Sequence, residues 1–171
     1  RSNSGNAEIF LSLGINFLKM QQIDQSLICF EKAITINPSL SSAYTNIGLI
    51  YIDHLKMFNK AIKYLNKAIA IDSFNPKALY NLGCAYDQLG DKEKSMYAFK
   101  KAIKIKPDYY KAAYNLSLNQ LATDDYGNGW LGYESRKKTL DIKEEILNIP
   151  KTKIWDGNQF NSTLVVHAEQ G

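Results

Sequence analysis

Apolar residues recur at a helical spacing in paired windows along most of the chain, and the pairs themselves recur. In residues 80–107, YNLGCAYDQLGDKEKSMYAFKKAIKIKP, two windows follow an i, i+3/4, i+7 pattern and are separated by a short polar turn. Residues 45–72, TNIGLIYIDHLKMFNKAIKYLNKAIAID, show the same arrangement. The pattern predicts antiparallel helix pairs. Its repetition predicts a stack of pairs, because one pair is too small to bury its own apolar face.

Small residues mark the same point in the first helix of each unit. These residues are Gly14, Gly48, Gly83 and Ser117. The second helix of each unit carries a large residue four positions after a small one, and these large residues are Phe30, Leu65 and Phe99. We expect Gly83 to let the second helix approach closely, with Ala102 lying against it. Gly90 and Asp91 predict a helix end followed by an N-cap, and Pro107 predicts the end of the next helix.

This pattern resembles the tetratricopeptide repeat, whose 34-residue signature is W-x2-L-G-x2-Y…A-x3-F…P, and the resemblance stays in phase through about 130 residues. It implies an all-α fold, a right-handed superhelix of antiparallel helix pairs with a short non-repeat C-terminal tail. It also implies a scaffold that binds a protein or an extended peptide. Two departures are visible. The second unit has one extra residue near HLKMF in its turn, and Ser73 stands where a closing proline is expected.

The repeat boundaries predict the following segments: an N-terminal lead over residues 1–6, repeats over 7–40, 41–75 and 76–109, a degenerate fourth repeat over 110–139, and a linker with the first strand of a following domain over 140–171. The second helix of the fourth repeat contains Gly127, Gly129 and Gly132, which weaken a helix relative to alanine. We expect Trp130 and Tyr133 to compensate by filling volume against the preceding helix.

The C-terminal segment carries a second resemblance. Its sequences GWLGYESRKK, WDG and LVVHAEQG are similar to the junction in bacterial proteins between tetratricopeptide repeats and a heptosyltransferase-like glycosyltransferase domain. The resemblance implies that the chain is the N-terminal recognition arm of a larger bacterial glycosyltransferase-like protein. Three alternatives stay open: STLVVH is an ordinary tail strand, the tail completes an active site with a domain beyond Gly171, or the chain self-associates through its terminal repeat or C-terminal strand.

Composition narrows the function classes. The net charge is +4 and the lysines are spread along the chain, which argues against nucleic-acid binding. There is no apolar run long enough to span a membrane and no signal peptide, so we expect a cytoplasmic protein without membrane contact. Cys29 and Cys84 are interpreted as small apolar residues, and His54 and His167 lack metal-ligand spacing. Glu169 is a lone carboxylate, so we expect no catalysis, cofactor or metal in these residues.

One face of the first helix in the third unit is polar. Lys77, Asn81, Cys84 and Gln88 fall on this face, at 100° per residue, opposite the apolar side. In a stacked solenoid such a face lines the inner, concave surface, and related residues recur in the neighbouring units. The predicted peptide-binding residues are Asn46, Lys77, Tyr80, Asn81, Lys111, Tyr114 and Asn115.

Each residue type in this set has a role. Asparagine amides suit the backbone of an extended peptide, lysines suit a carboxylate, and tyrosines supply rigid contact area. The set resembles the asparagine-lined grooves of repeat proteins attached to protein O-glycosyltransferases. The two-unit carboxylate clamp of chaperone-binding members fits less well, because Leu11 and Ile15 occupy inner positions of the first unit. The alternative is that these polar residues only solvate an exposed helix face.

Overall fold

The computed structural model describes residues 2–133, and this part of the chain is a row of α-helices. The helices are α1 (Ser2–Lys19), α2 (Ile23–Ile36), α3 (Ser41–Asp53), α4 (Phe58–Ile71), α5 (Pro76–Gln88), α6 (Lys92–Ile105), α7 (Tyr110–Ala122) and α8 (Tyr126–Tyr133). Consecutive helices pair as α1 with α2, α3 with α4, α5 with α6 and α7 with α8. The predicted all-α solenoid is confirmed for the described residues. The predicted linker and strand over 140–171, and residues 134–139 of the fourth repeat, lie outside them.

We call α1, α3, α5 and α7 the A helices and α2, α4, α6 and α8 the B helices. Helix α3 contacts α5 and, to a smaller extent, α1, whereas α4 and α6 make fewer mutual contacts. The second and third repeats are therefore closer together on the A side than on the B side. This difference in spacing curves the stack there, with the A helices on the inner surface.

A large B-helix side chain lies directly on the glycine of each A helix in the first three repeats. A Cβ added to Gly83 would lie 2.5 Å from Cε1 of Phe99, and one added to Gly14 would lie 2.6 Å from Cε1 of Phe30. In the second repeat Leu65 takes this place against Gly48. The atoms nearest to a Cβ on Gly83 belong to Phe99, and Ala102 packs beside them in an apolar cluster with Leu79 of α5 and Ala112 of α7.

The turn inside each repeat contains one residue in the left-handed backbone region. These residues, with their φ angles, are Gln21 at 59°, Lys56 at 53°, Gly90 at 79° and Asp124 at 63°. Glycine adopts this conformation without steric cost, but only the third repeat uses it. The second turn spans residues 54–57, one more than the others, which is where the sequence placed the extra residue.

Each helix of the third repeat begins at a side-chain cap. Oδ1 of Asp91 accepts a hydrogen bond from the backbone N–H of Lys94 at 3.1 Å, so the predicted N-cap is confirmed. Asn75 caps α5 by accepting from the N–H of Ala78 at 3.0 Å. Its amide also donates to the hydroxyl oxygens of Ser41 and Thr45 at 3.1 and 3.3 Å. Asn75 therefore joins the second repeat to the third.

The glycines of the fourth repeat have different roles. A Cβ on Gly129 would lie 2.7 Å from Leu121, and one on Gly132 would lie 2.8 Å from Cβ of Ser117, so both allow close helix contact rather than only weakening α8.

The ring of Tyr133 packs on Tyr114 with centroids 5.7 Å apart. Trp130 is 48% exposed and meets Tyr133 edge-on, so its predicted packing against α7 was wrong. Self-association through this repeat stays a prediction.

We expect Gly83→Ala to destabilise the protein and Gly127→Ala to stabilise it. Alanine favours helix by about 1 kcal/mol at either position. At Gly83 its methyl group would overlap Phe99, an overpacking that costs about 1–3 kcal/mol, whereas a Cβ at Gly127 meets nothing within 4 Å. Urea unfolding followed by circular dichroism measures both changes. Equal stability of the two variants would contradict the seating of Phe99 on Gly83.

Candidate functional site

A cleft of 370 Å³ opens on the inner surface between the A helices of the second, third and fourth repeats. We call it the inner cleft. Its lining residues are Thr45, Asn46, Leu49, Ile52, Asp53, Lys77, Tyr80, Asn81, Cys84, Tyr109 and Lys111. The cleft lies on these helices because the A helices face inward while the B helices cover them from outside. Its volume is within the range of about 300–1,000 Å³ typical of ligand sites.

The structure brings most of the predicted site residues to this cleft. Asn46, Lys77, Tyr80, Asn81 and Lys111 all line it. The other two predicted residues, both on α7, do not, and they are described below. The inner cleft therefore unites residues from three successive A helices, as the spacing of the repeats indicated.

Asn81 is a nearly buried polar side chain of the cleft. Only 7% of its surface is exposed, yet its amide has no hydrogen-bond partner within residues 2–133. In that part of the chain no fully enclosed side-chain N or O atom lacks a partner, so the Asn81 amide is still reached from the cleft. A ligand that bonds to the amide in place of water gains about 0.5–1.5 kcal/mol for each hydrogen bond.

Asn115, at the same repeat position as Asn81, is engaged within the protein. Its amide donates to the hydroxyl of Tyr80 at 3.4 Å and to the thiol of Cys84 at 3.8 Å. In the preceding repeat, Thr45 and Leu49 occupy the positions of Tyr80 and Cys84. Leucine cannot accept a hydrogen bond, and the Thr45 hydroxyl already accepts from the Asn75 amide at 3.3 Å while it donates to the Ser41 carbonyl at 2.9 Å. Asn81 is left without a partner for this reason.

Tyr114 does not reach the inner cleft. Its ring packs on Tyr133, as described above, and so it contributes to the junction of α7 with α8. Because Asn115 is bonded and Tyr114 is packed, the predicted ladder of three equivalent asparagines with paired tyrosines is not uniform. The open positions are those of the second and third repeats.

Aromatic and thiol groups form the wall of the cleft beside Asn81. The rings of Tyr80 and Tyr109 lie 5.1 Å apart between centroids. Burial raises the pKa of the Tyr80 hydroxyl, and it raises the pKa of the Tyr109 hydroxyl to about 12. Burial also raises the pKa of the Cys84 thiol to about 11. All three groups are therefore neutral at pH 7, and this wall offers contact area and hydrogen bonds rather than charge.

The charged groups of the cleft lie at its rim. Lys77 and Lys111 are exposed, and both ammonium groups belong to the lining. Asp53 is the carboxylate of the lining and is also exposed. The rim thus has a small excess of positive charge, which favours a ligand that carries a carboxylate.

Several lining residues escaped the sequence analysis. Tyr109 precedes α7 and lies in a loop, where helical periodicity gives no signal. Thr45, Leu49, Ile52 and Asp53 extend the cleft along α3. Thr45 occupies the same repeat position as Tyr80, and this equivalence could have indicated Thr45. Cys84 was interpreted as a small apolar residue although it falls on the polar face of α5, and it lines the cleft.

In residues 2–133 no group of three or more His, Cys, Asp or Glu side chains could hold a metal ion. Among the helices described, none has the length and apolarity needed to cross a membrane. His54 is exposed, and Cys29 is buried as predicted. His167 and Glu169 lie outside the described residues.

Comparison with protein families identifies the repeats. Family models described as tetratricopeptide repeat match residues 7–40, 41–75 and 76–109. Together these matches cover more than half of the chain. The repeat pattern that the sequence shows is therefore shared with this family.

Three curated relatives match over long stretches. Protein bimA of Emericella nidulans is 30% identical over 100 residues, 58% of this chain and 12% of its own length. The probable UDP-N-acetylglucosamine–peptide N-acetylglucosaminyltransferase SPINDLY of Hordeum vulgare is 29% identical over 122 residues, 68% of this chain and 13% of its own. The protein O-mannosyl-transferase TMTC3 of Homo sapiens is 28% identical over 146 residues, which are 83% of this chain and 15% of TMTC3. The chain thus spans less than a quarter of the length of these relatives.

Two solved structures show the same fold. The crystal structure of MamA aligns with a TM-score of 0.70 at 24% identity, covering 78% of this chain and 80% of MamA. The first tetratricopeptide repeat domain of Spaghetti (RPAP3), bound to the HSP90 peptide SRMEEVD, aligns with a TM-score of 0.68 at 23% identity. The alignment covers 71% of this chain and 95% of the RPAP3 domain. At this level of identity the likeness shows the fold alone.

We expect Cys84 to react slowly with iodoacetamide despite its place at the cleft. Raising the thiol pKa from 9.0 to about 11 lowers the thiolate fraction at pH 7 about 100-fold. Mass spectrometry of the Cys84 peptide gives the alkylation rate, with the urea-unfolded protein as the reference. The native rate should rise about tenfold for each pH unit from 7 to 10. A native rate equal to the unfolded rate at pH 7 would contradict this prediction.

Proposed function

The chain belongs to the tetratricopeptide repeat family, and from this premise we propose that its inner cleft binds an extended segment of a partner protein. Scaffolds of this family hold partners on the surface that their A helices form. The observation that carries the proposal is the Asn81 side chain, which lines the cleft, is nearly buried and has no hydrogen-bond partner among residues 2–133.

The proposed contacts follow from the chemistry of the lining. The Asn81 amide supplies two donors and an acceptor, which match the carbonyl and N–H groups of an extended backbone. Asn46, one repeat earlier, offers the same groups along the peptide. Because repeats place these amides at regular intervals, successive peptide units meet similar partners. The backbone of the peptide is then held independently of its sequence.

Selectivity comes from the rim and the aromatic wall. Lys77 and Lys111 favour acidic side chains or a terminal carboxylate, and Tyr80 with Tyr109 presents a rigid apolar surface beside them. The RPAP3 domain, which has this fold, was solved with a peptide that contains Glu-Glu and ends in Asp. This agrees with a preference for acidic segments in the present cleft.

We further propose that the chain serves as the recognition arm of a larger bacterial glycosyltransferase-like protein. The motifs of residues 129–171 and the matches to SPINDLY and TMTC3, both named as glycosyl- or mannosyl-transferases, support this proposal. The repeats would then present an acceptor protein to a separate catalytic domain. The coding sequence beyond Gly171 tests this: a Gly-Asp turn followed by alternating strands and helices supports the proposal, and an unrelated continuation contradicts it.

We expect Asn81→Ala to weaken peptide binding about tenfold without lowering stability. Loss of the amide removes about 1.4 kcal/mol of binding energy. Within residues 2–133 the amide has no hydrogen-bond partner to lose, and alanine favours a helix more than asparagine does, so the free energy of unfolding should stay equal or rise. The measurement uses the tightest peptide selected by phage display on the 171-residue protein, titrated by fluorescence polarisation, with thermal unfolding in parallel.

Asn66→Ala is the matched control, because Asn66 is an exposed asparagine on the B helix α4, away from the inner cleft. It should leave the affinity unchanged. Unchanged affinity in a folded Asn81→Ala variant would remove Asn81 from the site. An equal loss in both variants would show that the peptide binds elsewhere.

A further inference from the structure

The lysines gather on two B helices, whereas their spacing in the sequence had indicated an even spread. Helices α4 and α6 carry Lys60, Lys63, Lys67, Lys92, Lys94, Lys100, Lys101 and Lys104. The acidic residue within these two helices is Glu93. Lys92 and Lys94 are ion-paired with Asp87 and Asp91. Because both helices are B helices, the other six lysines concentrate positive charge on the outer side of the second and third repeats. The whole-chain net charge of +4 conceals this concentration.

A second cleft, of 470 Å³, adjoins this basic region. We call it the outer cleft. Its lining residues are Ile69, Ser73, Phe74, Leu79, Lys101, Lys104 and Ile105. It forms where the end of α4, the loop before α5 and the last turn of α6 come together. It shares no lining residue with the inner cleft.

The outer cleft combines an apolar floor with a charged edge. Leu79 is only 4% exposed, and Ile69 and Ile105 are half-buried beside it. Lys101 and Lys104 are exposed above them. Within residues 2–133 no carboxylate lies within 4 Å of either ammonium group. Both charges are therefore free to meet an anionic group of a ligand.

Two aromatic residues shape the cleft edge. The ammonium nitrogen of Lys101 lies 4.5 Å from the ring centroid of Tyr97, which restricts where the charge can be. Phe74 is 76% exposed, an unusual degree for a large apolar residue. Its backbone N–H donates to Oδ1 of Asp72 at 3.0 Å, and this contact orders the loop that presents the ring. Phe74 offers apolar surface that a ligand could cover.

We propose that the outer cleft binds an acidic peptide segment that carries a large apolar side chain. The apolar side chain lies on Leu79 between Ile69 and Ile105, and Phe74 covers it from the loop. Carboxylates on either side of that residue meet Lys101 and Lys104, which are one helical turn apart. A peptide with acidic side chains alone would leave the apolar floor uncovered, and a peptide with apolar side chains alone would leave the lysines unpaired. An acidic peptide with a large apolar side chain contacts both parts of the site.

A membrane surface and a nucleic acid fit these observations less well. The apolar floor is recessed, because Leu79 is almost fully covered, and a flat bilayer would reach Phe74 without reaching it. A nucleic-acid backbone would use the lysines but leave the floor empty. A peptide can place a side chain inside the cleft and carboxylates at its edge.

The test uses the full chain and the synthetic peptide EELWEELWEELW, labelled with fluorescein and titrated by polarisation. We expect this peptide to bind at least tenfold more tightly than QQLWQQLWQQLW, which lacks the carboxylates, and EESSEESSEESS, which lacks the apolar groups. The double variant K101Q/K104Q should weaken binding of the first peptide at least fivefold. Phe74→Ala should weaken it about threefold.

Two matched variants locate the binding. K60Q/K63Q removes the same charge, at the same i, i+3 spacing, from α4 and should leave the affinity within twofold. K77Q/K111Q removes the same charge from the inner cleft, so a loss confined to this variant would place the peptide there and overturn the proposal while leaving the inner-cleft function intact. Equal losses of affinity in K101Q/K104Q, K60Q/K63Q and K77Q/K111Q would show that only the net charge matters, and this would also overturn the proposal.

Competition decides between classes of ligand. A twenty-base-pair DNA duplex and vesicles containing 30% phosphatidylserine are each added to the bound peptide. We expect neither to bind with an affinity that depends on Phe74 and on Lys101 with Lys104. If the DNA or the vesicles bind more tightly than the peptide, and this binding weakens in both Phe74→Ala and K101Q/K104Q, the proposal of a peptide site is wrong.

Discussion

The fold depends on one contact that recurs in each of the first three repeats: a large B-helix side chain lying on an A-helix glycine. Phe30, Leu65 and Phe99 occupy this place. The contact fixes how closely the two helices of a repeat approach, because no side chain separates the ring from the helix backbone. Interiors are close-packed, so one added methyl group cannot be absorbed without moving a neighbour. The fourth repeat replaces glycine with Ser117 and supplies the missing space through Gly132 on the opposing helix.

Functional differences between repeats arise from single side chains on this common frame. Asn81 and Asn115 occupy equivalent positions, but only Asn115 has hydrogen-bond partners in the described part of the chain, because Tyr80 and Cys84 replace Thr45 and Leu49 of the previous repeat. The same substitution that satisfies one amide builds the aromatic wall beside the other. Stacking thus turns small differences between repeats into a cleft in which the Asn81 amide is open to a ligand while the Asn115 amide is bonded within the protein.

The two sides of the solenoid differ in charge and in spacing. The inner side has closely spaced A helices and mixed charge at its rim, which suits an extended segment laid across several repeats. The outer side has widely spaced B helices and a concentration of lysine around a recessed apolar floor. Wider spacing leaves a gap between the end of one repeat and the start of the next, and the outer cleft occupies such a gap. Two separate surfaces are consistent with a scaffold that brings partners together.

The sequence by itself determined the helix pairs, their turns and their order. Glycine, proline and capping residues act locally, and apolar spacing shows which face of each helix is buried, so the all-α stack, the cap at Asp91 and the inner position of Asn81 could all be predicted. Only the tertiary structure decided which side chain lies on Gly83, why Asn115 is bonded while Asn81 is open, and how the lysines of α4 and α6 come together. These outcomes depend on distances between residues that lie 16 or more positions apart along the chain. Periodicity gives the direction of a side chain, whereas its contacts are set by the neighbours that packing brings to it.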